Sequence, residues 1–173
     1  MLPYFKKLSP GWLNLRGFEW EQRKGEMAIE LGKDPVYLRY YRIKDYPEFW
    51  TRFRFQGPKP ASIYLCETTG TGYQGIHQDI NTGTTLNYYI DCAGDPTRFY
   101  RYTGQLPEEP TEHNIDPELI QQVAEFIAQP KDSYLLNVQE WHDVVKASIL
   151  PRKFIQWNWT EQFDLVRLTL LNN

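Results

Sequence analysis

Three side chains in this sequence can form one face of a metal site: His77 and Asp79 in GIHQDI, and His142 in NVQEWHDVV. Two imidazoles and a carboxylate cap one side of an octahedral ion and leave three positions open, a ligand set suited to non-heme Fe(II). His-x-Asp on a strand puts the ring and the carboxylate on the same face, because side chains alternate with period two. The chain has 3 His in all, and two of them fall in these short stretches. The second opens HDVV, a β-branched segment and not a polar loop. Arg152 follows His142 by ten residues (152 − 142). Its planar fork of donors is matched to a carboxylate, so it can hold the far end of an acidic cosubstrate.

The elements that must position these residues are short. VYLRYYRI and WTRFRF alternate as β-segments, punctuated by Pro47 and a QGPKP turn. ASIYLCET reads as a nearly apolar strand, and the Gly-rich TTGTGYQG leads into GIHQDI. TLNYYIDC and TRFYRY follow, separated by a turn at Gly94-Asp95-Pro96. One helix is expected over 116–130: Asp116 caps it and Pro117 takes its first position. Leu119, Ile120, Val123, Phe126 and Ile127 trace its apolar face, and Pro130 closes it. Strands are then expected at SYLLNV, HDVVKASI, RKFIQWNW and FDLVRLTLL. Many short strands with few helices predict a mainly β fold, a jelly-roll-like sandwich or small barrel.

Composition sets the outer bounds. A chain of 173 residues is expected to form a single domain over 1–173, with residues 1–60 a flank of turns, strands and a short helical piece. A net charge of −3 carries no overall nucleic-acid or membrane signature. No apolar run reaches bilayer-spanning length. MLPYFKKLSPGWLNL lacks an uninterrupted apolar core and a small-residue cleavage site, so no secretory signal is expected. Cys66 and Cys92 fit neither a metal spacing nor a disulfide framework. The expected location is therefore the reducing cytoplasm, where iron stays ferrous.

GIHQDINTGTTLNYYIDCAGDPTRFY resembles the first half of the double-stranded β-helix core of the Fe(II)/2-oxoglutarate-dependent dioxygenases, with Leu86, Asn87, Gly94, Thr97 and Phe99 on the matching positions. SYLLNVQEWHDVVKASILPRKFIQWNW resembles the second half through Leu136, Asn137, His142, Val144 and Arg152. The likeness covers residues 61–160. It implies a cupin-like double-stranded β-helix with flanking helices, Fe(II) on His77, Asp79 and His142, and 2-oxoglutarate as cosubstrate. It further implies hydroxylation of a small molecule or an amino-acid side chain, coupled to decarboxylation of 2-oxoglutarate to succinate.

Arg152, Asn87 and Tyr64 are the candidates for holding that cosubstrate, and each has a plain alternative. Alternation puts Arg152, Phe154, Gln156 and Asn158 on one face and Lys153, Ile155, Trp157 and Trp159 on the other. The first face suits a cavity lining or a solvent face. Asn87 is a cosubstrate ligand or a structural amide, and Tyr64 suits the core or surface as well. Trp141, Trp157 and Trp159 wall a pocket or fill a core. His113 reads as solvated, and Asp143 and Glu140 stay outside the ligand set because Asp143 points opposite to His142 on a strand. VYLRYYRIKDYPEFWTRFRFQGPKP interleaves basic and aromatic residues, which leaves a nucleic-acid substrate open without favouring it. Two rival functions remain: a cupin-like metalloenzyme without 2-oxoglutarate, against which Asp79 argues because cupins more often have histidine there, and a catalytically idle β-sandwich for binding or assembly.

Overall fold

A computed structural model describes residues 4–8, 20–29, 36–43, 58–70, 72–92, 94–105, 116–146 and 150–171. Its strands are β1 (Phe5–Leu8), β2 (Trp20–Ile29), β3 (Val36–Ile43), β4 (Ser62–Thr69), β5 (Gly72–His77) and β6 (Thr84–Asp91). They continue with β7 (Pro96–Tyr102), β8 (Ile120–Ile127), β9 (Ser133–Leu136), β10 (Trp141–Lys146) and β11 (Arg152–Trp159), and a helix, α1 (Phe163–Leu171), follows. The larger sheet runs β1-β9-β6-β11-β4-β3-β2 and the smaller one β5-β10-β7-β8. All pairings in both sheets are antiparallel. From β4 to β11 the chain crosses repeatedly between the sheets, so that β9-β6-β11-β4 faces β5-β10-β7-β8. That order is a double-stranded β-helix, the jelly roll expected from the sequence. β1 extends the larger sheet beyond β9, and β3 with β2 extends it beyond β4.

Alternation along each strand divides the apolar residues between two faces. On the outer face of the larger sheet Ile63, Leu86, Leu135, Ile155, Trp157 and Trp159 pack with Phe163 and Val166 of α1. On the inner face Cys66, Tyr89, Tyr134, Leu136 and Phe154 meet Phe99 and Phe126 of the smaller sheet. The β11 face carrying Arg152, Phe154, Gln156 and Asn158 is therefore the lumen face, not a solvent face.

Two expected elements change type. The segment 116–130 holds one 3-10 turn, Pro117–Leu119, and then strand β8. The expected start is present, since the Glu118 amide donates to Asp116 Oδ1 at 2.9 Å and the Leu119 amide to the Asp116 carbonyl at 3.0 Å. The helix then yields to pairing with β7. Ala124 faces Phe99 and Gln122 faces Tyr100, so Val123 is an extra residue, a β-bulge. The bulge turns Phe126 inward, stacked on Tyr134 at 3.9 Å, while Ile120 packs beside Tyr100 and Trp141 on the opposite side. A strand whose buried face switches midway loses its period of two and imitates a helical spacing. FDLVRLTLL changes in the other direction, from an expected strand to α1. Phe163 and Val166 are buried at a spacing of three while Leu165 and Leu168 are exposed, and the Gln162 carbonyl accepts from the Leu165 and Val166 amides. Of the flank, VYLRYYRI forms β3 as expected, and WTRFRF lies outside the described residues.

Candidate metal centre

His77 closes β5 and His142 is the second residue of β10, and the two are registered opposite each other across the antiparallel pair. Their ring centroids are 4.4 Å apart. β5 has ended by Asp79, so the loop, not the strand pleat, brings the carboxylate in. Its backbone N–H donates to the Val138 carbonyl at 2.9 Å. Gly83 then lets this loop pack against the end of β11: a Cβ there would collide with the Glu161 carbonyl oxygen. Asp79 Oδ1 stands 3.6 Å from His77 Nε2 and 3.9 Å from His142 Nε2. The three ligand atoms all lie within 4.8 Å of one another. Metal bonds of about 2.0–2.2 Å to nitrogen and oxygen place cis ligands about 3 Å apart, so modest closure of these side chains suffices.

Hydrogen bonds on the far side of each ring fix which nitrogen faces the carboxylate. His77 Nδ1 lies 2.7 Å from the Gly75 carbonyl and His142 Nδ1 2.9 Å from the Glu140 carbonyl. Since a carbonyl only accepts, each Nδ1 carries the proton and each Nε2 keeps its lone pair. Burial, then the neighbouring His77, push His142 down to about 4, against the opposing pull of Asp79. It is neutral at pH 7, the form a metal needs. Phe99 lies against His142 with centroids 5.8 Å apart.

Arg152 is 5% exposed, and its guanidinium sits inside the lumen. Nη2 donates to the Tyr89 hydroxyl at 2.8 Å and to Thr97 Oγ1 at 3.0 Å, and the plane lies over the Tyr89 and Phe154 rings. No carboxylate among the described residues pairs with it. Asn87, also buried, donates from Nδ2 to the same Tyr89 hydroxyl at 3.4 Å, while its Oδ1 has no partner among the described residues. Tyr64 is half-buried on the inner face of β4, in register with Gln156. Tyr89 and Thr97 complete the surroundings of Arg152. Thr97 was part of the sequence pattern but without a role, and the apolar TLNYYIDC offered no sign that Tyr89 turns its hydroxyl to an arginine.

Asp143 points away from His142, as alternation requires. It is fully buried, accepts from the Tyr100 hydroxyl at 2.7 Å and is registered opposite Arg98. Glu140 offers its backbone carbonyl to His142, and Trp141, Trp157 and Trp159 are core residues. His113 lies outside the described residues, as do 44–57 of the basic and aromatic stretch.

No protein-family model matches the chain, and no curated protein does. Among solved structures it is similar to an oxidoreductase of the 2OG-Fe(II) oxygenase family from Burkholderia pseudomallei, with 10% identity, 80% of this chain and 74% of that chain covered, and a TM-score of 0.46. It is also similar to a variant of Bacillus subtilis oxalate decarboxylase, with 16% identity, coverage of 78% and 28%, and a TM-score of 0.38. The chain thus spans under a third of the decarboxylase. These likenesses carry no activity to this chain; the fold assignment rests on the strand order. Among the described residues no helix is long and apolar enough to cross a membrane.

Proposed function

We propose that this chain is a non-heme Fe(II)/2-oxoglutarate-dependent dioxygenase that hydroxylates a small molecule or an amino-acid side chain. His77, Asp79 and His142 are its metal ligands in this reading, with Arg152, Asn87 and Tyr64 on the cosubstrate. Bound there, the iron and cosubstrate supply the oxidation: O2 and a substrate C–H bond give an alcohol while 2-oxoglutarate becomes succinate and CO2.

The observation that carries the reading is Arg152. A buried guanidinium with no acidic partner among the described residues is costly, and an incoming anion relieves that cost. Its position fits the cosubstrate. His142 is registered opposite Phe99, and Thr97, which touches the guanidinium, lies two residues further along β7. Two strand residues span roughly 7 Å. A five-carbon diacid held at the histidines by its keto-acid end reaches that far with its other carboxylate.

The remaining residues have definable work. The His77 and His142 rings present Nε2 because Nδ1 is committed to backbone carbonyls. Tyr89 accepts from both Arg152 and Asn87, which leaves its own proton for a third acceptor, the bound carboxylate. Thr97 and the rings of Tyr89 and Phe154 hold the guanidinium in place, and Phe99 packs against the His142 ring.

The test is anaerobic titration of the apoprotein with Fe(II) and then 2-oxoglutarate, following the weak visible charge-transfer band of the chelate. The band is expected in the wild type, absent in His77→Ala and weakened in Arg152→Ala. Wild-type protein that retains no metal and gives no band overturns the reading.

A further inference from the structure

The lumen face of the larger sheet holds more hydrogen-bonding capacity than metal and cosubstrate use. Ser62, Asn158 and Thr85 lie side by side across β4, β11 and β6, and Tyr64, Gln156 and Asn87 form the next row inward. These rows are at the metal end of the lumen. Thr85 is registered opposite Leu136, and two residues beyond it Val138 binds the Asp79 backbone. Arg152 lies at the opposite end of β11. None of the six side chains in the two rows is charged.

The direction of the bonds shows what remains on offer. Thr85 Oγ1 donates to Asn158 Oδ1 at 2.9 Å, and Asn158 Nδ2 donates to Ser62 Oγ at 3.3 Å. The Ser62 hydroxyl proton and the second Asn158 N–H are left over. In the next row Cys66 Sγ donates to Gln156 Oε1 at 3.4 Å, which fixes that amide with both N–H groups available. Beside it Asn87, 5% exposed, holds the buried, unpartnered Oδ1. A buried acceptor without a donor is unfavourable until a donor arrives. A 2-oxoglutarate dianion has no proton to give, so the cosubstrate leaves this oxygen unmet.

We infer that these rows bind a secondary amide of the substrate: its carbonyl takes protons from Gln156, Asn158 and Ser62, and its N–H goes to Asn87 Oδ1. The substrate is then a peptide or an N-acyl compound, presented to the metal with its amide flat against β11 and β6. The inference rests on the oxygenase reading for its chemistry, but binding needs neither metal nor cosubstrate. A neutral row with no cation of its own also disfavours phosphate-bearing substrates at this end of the lumen.

The test uses the metal-free, 15N-labelled full chain and the probe N-methylacetamide, which has a single secondary amide. The side-chain amide signals are assigned by their loss in Gln156→Glu and Asn158→Asp. Saturable shifts of both signals are expected. N,N-Dimethylacetamide, which lacks the N–H, is expected to bind about tenfold more weakly, the worth of one good hydrogen bond. Asn87→Leu should bring the two probes to equal affinity while leaving the backbone spectrum folded. Shifts at neither amide up to the solubility of the probe, or equal binding of the two probes by wild type, overturn the inference. A wild type that shifts with the probe but gives no chelate band loses the oxygenase reading alone.

Discussion

One strand, β11, serves two opposed regions. Its outward residues Ile155, Trp157 and Trp159 are apolar, fully buried and closed over by α1. Of its inward residues Phe154 joins the aromatic cluster between the sheets, while Arg152, Gln156 and Asn158 are polar and short of partners. The outer face removes apolar area from water and so supports the fold. At Arg152, Gln156 and Asn158 the inner face gives up that gain to hold donors and a cation between the sheets. A face built for stability would not hold a buried arginine without an acid. Substitutions on the two faces should therefore separate stability from binding.

The largest separation is expected at the metal ligands. His142→Ala should lower Fe(II) affinity by more than about 100-fold, beyond the 10–100-fold typical of losing an outer partner, with a nearly unchanged urea midpoint. Equal metal retention by wild type and variant would break the contrast. Trp157→Ala should do the reverse. Removing a fully buried tryptophan costs about 3–5 kcal/mol, on the order of 10 °C in Tm for a chain of this size, while the folded fraction keeps its chelate band. Arg152→Met comes next, with both effects in one variant. Cosubstrate affinity should fall by at least about tenfold. Stability should hold or rise by about 1–2 kcal/mol, since an unpaired buried charge is replaced by an apolar side chain. A stability loss as large as that of Trp157→Ala would mean that Arg152 is a structural member of the core.

The same contrast explains what could be read from the sequence. Strands β4, β6, β7 and β9–β11 were legible because their alternation and turn residues agree with their pairing, whereas β5 begins inside the Gly-rich TTGTGYQG expected as a turn and ends at His77. The proximity of His77, Asp79 and His142 was expected from residue type and spacing, but on a different local ground: alternation was to bring Asp79 beside His77, whereas a loop anchored to Val138 does so. β8 was missed because the bulge at Val123 reverses its buried face. α1 was missed because a nine-residue amphipathic segment also reads as an alternating one, and only the apolar outer sheet decides between them. Which face of β11 lines the lumen was open from sequence. Closing it required to know that the neighbouring strands point Cys66 and Tyr89 the same way. Tyr89 and Asn158 acquire meaning only from the cross-strand register, which no single segment encodes.

The smallest expected effect reports on the inner face through a thiol that is not itself a proposed ligand. Cys66 lies there, 1% exposed, and burial pushes its thiol up to about 12, with nearby Arg152 pulling weakly the other way. Cys92, half-buried, is pushed up to about 11 for the same first reason. A raised thiol pKa favours the neutral form in the folded chain. The resulting stability is complete below the unfolded value near 9 and is lost as pH rises from there toward 12. Wild type should therefore lose urea resistance relative to Cys66→Val above pH 9, and the gap between them should stay constant below it. At pH 8 iodoacetamide should modify Cys66 far more slowly than an exposed thiol, and more slowly than Cys92. Removing the opposing cation in Arg152→Met should slow Cys66 further. If Arg152→Met instead speeds it, the arginine is plugging the lumen, and the stability cost of that variant would then come from opened packing and not from charge.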